Sequence, residues 1–531
     1  MTTGDQDTNA IHCVRTRDGD VFGRMERGAI AFPGIRYAAP PLGNLRFAAP
    51  APFVPDGGVA LQWDGALATP RRPAPAPLQN AGMMMGSRPV GVTAEDCLFL
   101  DVFTPATAGC RPVMVWVYGG GFVGGSGVDV LTHGSHLAAL GDVVVVSFNY
   151  RLGAFGFLHW HGDDRTPEAP RSNLGLRDQL AVLRWVQREI GAFGGDPARV
   201  TIFGESAGGM SVCDLLASPL AQGLVHRAIA QSGAAESVQS AAAAQQVHED
   251  LARALGIRPY DVDALRACST AQVLDAQQQA LQAARARRGG MGFRPCVDGE
   301  VLPRLPMHAI AEGMAADVPL LLGSTRDEQR LYLNARQALT DEELLTQVRT
   351  RLQHAAILLP NGSRPSESES HTIAGAAIAL YRSQHPGAAF GNIGLWCAID
   401  TDLGFRLPAL RLASTRAAGR AQSWLYLWTW ASPALRGWLG ACHAIDVPFV
   451  FANLDTPGMK RFAGAGAAAD ALARTVATTW AGFAHDGVPP QSDWHAFTAA
   501  GDPLLLLDAT PRVANAPDTA LVRFWQDAGL C

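Results

Sequence analysis

Three stretches of the chain, 113–118, 143–148 and 200–203, are nearly unbroken apolar runs rich in valine and isoleucine. Strands that are polar on one face alternate; strands covered on both faces read as continuous apolar runs. Between the second and third runs, Leu176, Leu180, Leu183, Val186 and Ile190 recur three and four residues apart, which predicts a helix over 173–190 capped by Ser172 or Asn173. Residues 207–216 read as another helix directly after the third strand. Buried strands alternating with helices imply a mostly parallel sheet with right-handed crossovers. Further strands are expected at 98–103, 318–322 and 423–430, and helices at 467–484 and 519–527. The Ala/Gln-rich stretch 237–288 and residues 340–384, broken by the polar loop 361–370, read as helical insertions covering that sheet. The first 110 residues read as small strands and turns, with an irregular proline-rich stretch at 69–89. With 531 residues, no fixed-period repeat and no long linker, one α/β domain is expected over 1–531, with covering segments at about 237–290 and 335–390.

Charge and composition remove several classes of function. The net charge of −5 gives no footprint for nucleic acid. No window of 18 apolar residues exists, so no membrane helix is expected. The first ten residues are polar and lack the apolar core of a secretory signal. Nine cysteines are scattered without any Cys-x-x-Cys pair, which fits free thiols in a reducing cytoplasm and argues against zinc ribbons. His159-Trp-His161-Gly-Asp-Asp has the look of a metal cluster, but two histidines in a polar loop are too few, and no metal is expected.

The sharpest local feature is Gly204-x-Ser206-x-Gly208, set between the apolar strand 200–203 and the helix 207–216. A serine on such a tight turn has its hydroxyl pushed outward, and the glycines avoid collision with the neighbouring strand and helix. Tyr118-Gly-Gly-Gly-Phe122 directly follows the strand 113–117, and its exposed backbone N–H groups suit an oxyanion hole. A serine elbow of this kind needs an acid and then a histidine, in that chain order. Of the nine histidines after Ser206, His443 lies in a loop beyond a late strand and a proline turn, as a general base requires. The strand 318–322 leads into Gly323-Ser-Thr-Arg-Asp-Glu, which offers Asp327 and Glu328; spacing alone does not choose between them.

Together with these features, further ordered motifs resemble the type-B carboxylesterase family, shared by cholinesterases and bacterial para-nitrobenzyl-esterase-like enzymes. They are Phe32-Pro-Gly-Ile-Arg-Tyr-Ala, Glu95-Asp-Cys-Leu-Phe-Leu-Asp-Val, Asn149-Tyr-Arg-Leu-Gly, Asn173-Leu-Gly-Leu-Arg-Asp-Gln and Phe193-Gly-Gly-Asp-Pro. Gln231-Ser-Gly, Asp298-Gly and His443-Ala-Ile-Asp-Val-Pro-Phe-Val-Phe complete the series. The resemblance implies an α/β-hydrolase fold and a serine carboxylesterase acting on a small-molecule ester without a cofactor. It implies Ser206, Glu328 and His443 as the triad, and the N–H groups of Gly120, Gly121 and Ala207 as oxyanion donors. It also implies a buried carboxylate–serine–carboxylate network at Glu205, Ser232 and Asp446, holding the His443 loop and tuning local charge.

The chain departs from that pattern at several positions. Gln329 stands where the family usually has glycine, and Asp446 where it usually has glutamate, which shortens the network by one methylene. Cys97 lacks the upstream cysteine with which secreted members form a disulfide. The same loop carries Met83, Met84 and Met85 instead of the choline-binding tryptophan of cholinesterases, so a choline-ester specialist is not expected. Those methionines can line the mouth of the site or serve as filler. Cys442 reads as a packed thiol, and Trp428, Trp430 and Trp438 as core or pocket walls. Amide, carbamate and lipid esters stay open as substrates, because one triad serves all of them. A non-catalytic binding module on this fold is the remote alternative. A monomer or homodimer is expected, with no nucleic acid and no membrane as partner.

Overall fold

A computed structural model describes residues 11–54, 74–80, 91–162, 166–288, 291–334, 338–354, 365–384, 390–417, 419–498, 503–515 and 519–530. The strands are β1 (Ile11–Thr16), β2 (Gly19–Glu26), β3 (Ala29–Arg36), β4 (Ala76–Pro77), β5 (Thr93–Ala94), β6 (Phe99–Thr104) and β7 (Arg111–Val117). They continue as β8 (Val144–Phe148), β9 (Gly195–Glu205), β10 (Arg227–Gln231), β11 (Leu320–Thr325), β12 (Ser423–Trp428), β13 (Pro503–Leu507) and β14 (Arg512–Asn515). Twelve of them form one sheet in the order β1-β2-β3-β6-β8-β7-β9-β10-β11-β12-β13-β14, and β4 pairs with β5 separately. From β8 to β13 every neighbouring pair is parallel; the flanking pairs are antiparallel. The three runs expected to be covered on both faces are buried: β7 at every residue after Arg111, β8 throughout and β9 from Val200 to Glu205, and β11 and β12 are likewise buried at every residue. This is the α/β-hydrolase fold, a large mostly parallel sheet with flanking helices.

The helix expected over 173–190 spans Leu174–Glu189, and the helix over 207–216 falls where it was read, at Ala207–Leu216. The capping expectation is corrected. Asn173 does occupy the N-cap, but its side chain makes no cap bond. Its amide instead reaches the backbone of Cys296, donating to the carbonyl at 2.8 Å and accepting from the N–H at 2.9 Å. The Ser172 hydroxyl goes to the Trp160 carbonyl. Both polar groups are buried, so they bind the segments that bury them rather than the helix end. β11 begins and ends later than the apolar run suggests, because Gly323, Ser324 and Thr325 pair in register with Tyr426, Leu427 and Trp428.

The stretch between β10 and β11 carries the helices Ala241–Leu255, Val262–Ala267 and Thr270–Arg288, as the Ala/Gln-rich composition suggests. Between β11 and β12 lie Asp341–His354, Glu367–Gln384, Gly391–Thr401 and Leu407–Arg416; the last two carry no sequence expectation above. No helix among the described residues is long and apolar enough to cross a membrane. Met83, Met84 and Met85 lie outside the described residues.

The parallel register explains where a site can form. β7 ends at Val117 beside Gly204, β9 ends at Glu205 beside Gln231, and Gln231 lies beside Gly323 of β11. The loops that follow β7, β9, β10 and β11 therefore leave the sheet along one edge, at the carboxyl ends of its central strands.

Candidate active site

Ser206 sits between β9 and the helix Ala207–Leu216 with φ 58° and ψ −125°, a conformation that L side chains rarely adopt. The strain is imposed by close packing. A Cβ on Gly208 would lie 1.9 Å from the Val117 carbonyl oxygen, and one on Gly204 would lie 2.6 Å from the same atom. Both positions therefore exclude any side chain, as the spacing of the motif implies. The turn is tied down by the Ser206 N–H, which donates to the Gln231 carbonyl at 2.9 Å. Ser206 itself is 8% exposed, so it sits in a nearly water-free setting.

The glycine loop lies against this elbow. A Cβ on Gly119 would come within 2.9 Å of the Ser206 Cβ, so only a bare backbone passes here. Gly120 and Gly121 take φ of 115° and 61°. Among the described residues, the backbone N–H groups of Gly120, Gly121 and Ala207 donate no hydrogen bond. Ala207 opens a helix, whose first N–H groups have no intrahelical acceptor. Three uncommitted donors on the two sides of Ser206 are what an oxyanion hole requires.

Of Asp327 and Glu328, it is Glu328 that lies against His443. Glu328 Oε2 lies 2.5 Å from His443 Nδ1, and Oε1 accepts from the Thr325 N–H at 2.7 Å. Asp327 faces the other way. It accepts from the Ala441 N–H at 2.9 Å and pairs with Arg330 at 3.1 Å, so it braces the loop that carries His443. Glu328 is fully buried and His443 is 3% exposed. Burial alone would lower the His443 pKa, but Glu205, then Tyr332 and Glu328, outweigh it and hold the imidazole well above its ordinary value. The rings of Tyr332 and Phe405 pack on it at centroid distances of 5.4 and 5.2 Å. Neither residue was singled out from sequence, since an aromatic residue in a loop or helix carries no signal of what it packs on.

His443 Nε2 is 3.0 Å from Glu205 Oε1, without hydrogen-bonding geometry. No hydrogen bond joins Ser206 to His443 among the described residues; in unliganded enzymes such contacts are often long and tighten when substrate binds.

The supporting residues sit together but are bonded differently from the expected chain. Asp446 Oδ2 accepts from Gln231 Nε2 at 2.8 Å and from the Tyr426 hydroxyl at 3.4 Å. Gln231 is in turn fixed by the Trp480 indole N–H at 3.1 Å. Ser232 Oγ, Asp446 Oδ1 and Glu205 Oε1 are buried without a hydrogen-bond partner. The serine-centred chain is therefore corrected: Gln231 and Tyr426 hold Asp446. No hydrogen bond joins Ser232 to either Glu205 or Asp446 among the described residues. Burial and the neighbouring Glu205 charge push the Asp446 carboxyl up to about 7.

The remaining candidates take structural places. Cys442 is buried, and its burial pushes the thiol up to about 12, so it is a protonated packing group beside His443. Cys97 is buried and free. The Trp438 indole donates to the Arg330 carbonyl at 3.0 Å, next to the Glu328 turn, whereas Trp428 is buried in β12. His159 is buried, with Nδ1 3.0 Å from the Ser172 hydroxyl, and His161 packs on the Tyr260 ring at 4.0 Å.

A para-nitrobenzyl esterase of Bacillus subtilis is 36% identical over 517 residues, covering 95% of this chain and 96% of its own length. A fumonisin B1 esterase of Sphingopyxis macrogoltabida is 36% identical over 507 residues, covering 92% of this chain and 85% of its own length. The crystal structure of a carboxylesterase from Geobacillus stearothermophilus superposes with a TM-score of 0.81 at 35% identity, over 97% of this chain and 100% of that one. The profile of the carboxylesterase family matches residues 11–525, and the chain belongs to that family of carboxylic ester hydrolases.

Proposed function

We propose that the chain hydrolyses small carboxylic esters through an acyl-enzyme at Ser206. His443, oriented by Glu328, takes the Ser206 proton as the hydroxyl attacks the ester carbonyl. The negative charge that forms on the carbonyl oxygen is bound by the N–H groups of Gly120, Gly121 and Ala207. His443 then gives its proton to the departing alcohol, activates a water molecule, and the acid product leaves Ser206. The observation that supports this most is the buried Glu328–His443 pair at 2.5 Å beside a strained serine turn faced by three uncommitted N–H groups. The free thiols among the described residues support a cytoplasmic setting, and the chain works as a monomer or homodimer in this reading.

A chain-length series of p-nitrophenyl esters measured beside a p-nitroanilide tests the reaction class. Esters are expected to turn over far faster than the anilide, because p-nitrophenoxide departs as a stable anion, whereas the anilide nitrogen leaves only if His443 protonates it as the bond breaks. Equal turnover of the anilide would replace this reading by an amidase.

The charge around His443 gives a pH prediction. The base must be neutral, so kcat/KM falls as pH drops through the His443 pKa. Because that pKa is raised, the fall begins above the ordinary histidine value of 6.5. Glu205→Gln removes a negative charge that favours the imidazolium, so the midpoint of the acid limb moves to lower pH. A midpoint that stays put or rises in the variant would show that Glu205 does not set it, and a flat rate from about pH 8 to pH 5 would remove His443 as the base.

A further inference from the structure

The helices Gly391–Thr401 and Leu407–Arg416 form one continuous rod, joined by the π-helical turn Asp402–Arg406. The residues at the joints, Asp402 (φ −63°, ψ −50°) and Leu407 (φ −63°, ψ −43°), keep helical dihedrals, so the rod is widened rather than broken. A π turn is rare, persists only where neighbours hold it, and recurs at functional sites. Its effect here is on direction. In an α-helix, residues three apart lie on one face. In this turn Asp402 faces Tyr381, while Phe405 reaches the His443 ring at 5.2 Å.

The turn is held from one side by a buried chain of hydrogen bonds. The Trp525 indole N–H, on the helix Thr519–Asp527, donates to the Tyr381 hydroxyl at 2.8 Å. That hydroxyl donates to Asp402 Oδ2, and Arg406 lies 3.7 Å from Oδ1 of the same carboxylate. Tyr381 and Trp525 are fully buried, and Asp402 is 7% exposed. Burial keeps the phenol protonated, so it remains the donor. The ester-hydrolysis steps above give none of these three residues a part.

We propose that Trp525, Tyr381 and Asp402 form a positioning strut for the general base: they keep the π turn wound, and the turn holds Phe405 against His443. The C-terminal helix is thereby coupled to catalysis across the fold. The strut rests on the reading of His443 as the base.

A double-mutant cycle tests it. Tyr381→Phe removes one hydroxyl and keeps the ring; Phe405→Leu removes the contact with His443. For p-nitrophenyl butyrate, Tyr381→Phe is expected to lower kcat roughly tenfold with a much smaller change in KM, since small displacements of a catalytic group have effects of this order. The double variant is expected to be no slower than Phe405→Leu alone, because both changes act on one contact. A purely structural hydroxyl would lower the thermal midpoint and leave kcat per folded site unchanged. Wild-type kcat in Tyr381→Phe, or effects of the two changes that multiply, would overturn the strut. If Tyr381→Phe does not fold, Trp525→Phe carries the same cycle with the same two overturning results. His443→Ala separates the two readings: activity retained there removes the base itself, whereas an inactive His443→Ala with multiplying effects removes only the strut.

Discussion

Replacing Ser206 by alanine is expected to lower kcat for p-nitrophenyl butyrate by roughly four orders of magnitude or more, the loss seen when the nucleophile of a serine hydrolase is deleted. The fold should be little affected. The strained turn at φ 58° is set by contacts of Gly204 and Gly208 with the Val117 carbonyl, and alanine adds no atom to it. Only a hydroxyl is lost, at a site whose helix is held by the Met210 N–H to Ser206 carbonyl bond, which alanine keeps. A stability change under about 1 kcal/mol is expected. Circular dichroism and the thermal midpoint of both proteins check this beside the rates. Because the proposed oxyanion donors are backbone groups that survive the substitution, a residual rate above that of water should persist. Equal rates in the two proteins would mean that another group attacks the ester, and the mechanism proposed here would fall.

Both the elbow and the centre of the sheet were legible in the sequence for the same physical reason. Strands buried on both faces must be apolar throughout, and the residues around Ser206 must be glycine wherever a Cβ would meet the Val117 carbonyl. Those demands are local, so they leave a local mark. Features that depend on long-range pairing left less. The polar end of β11 reads as a loop until its partners in β12 are known. Asn173 looks like a helix cap, and only the position of Cys296, 123 residues away, shows where its amide goes. The π turn has no sequence mark above, because Asp402 and Phe405 are a polar and an aromatic residue in an otherwise ordinary helical stretch. Asp446 was placed by resemblance, but its partners Gln231 and Tyr426 come from two different strands that only the fold brings together.

The adjacent acids Asp327 and Glu328 give the second large effect, and it separates their roles. Glu328→Gln is isosteric and keeps a side chain beside His443 Nδ1, but an amide no longer stabilises the imidazolium. Its NH2 can also face Nδ1, forcing the ring into the tautomer that cannot accept a proton at Nε2. Substitutions of this kind cost roughly 10⁴-fold in kcat in a serine triad. The effect should be smaller here to the extent that Glu205, 3.0 Å from Nε2, supplies a second negative charge to the imidazolium, so a loss of roughly 10²–10⁴-fold is expected. Asp327→Asn should behave differently. Its carboxylate accepts from the Ala441 N–H and pairs with Arg330, both on the side away from the imidazole. Loss of that charge loosens the loop before His443, so it should lower the thermal midpoint more than it lowers kcat. Measuring kcat and thermal midpoint for the two variants side by side decides the assignment. If Asp327→Asn lost more activity than Glu328→Gln at comparable folding, the acid of the triad would be Asp327, and the 2.5 Å contact between Glu328 and His443 would be structural. If the order is as expected, adjacent carboxylates one residue apart divide the work. One orients the base, and the other holds the loop that delivers it.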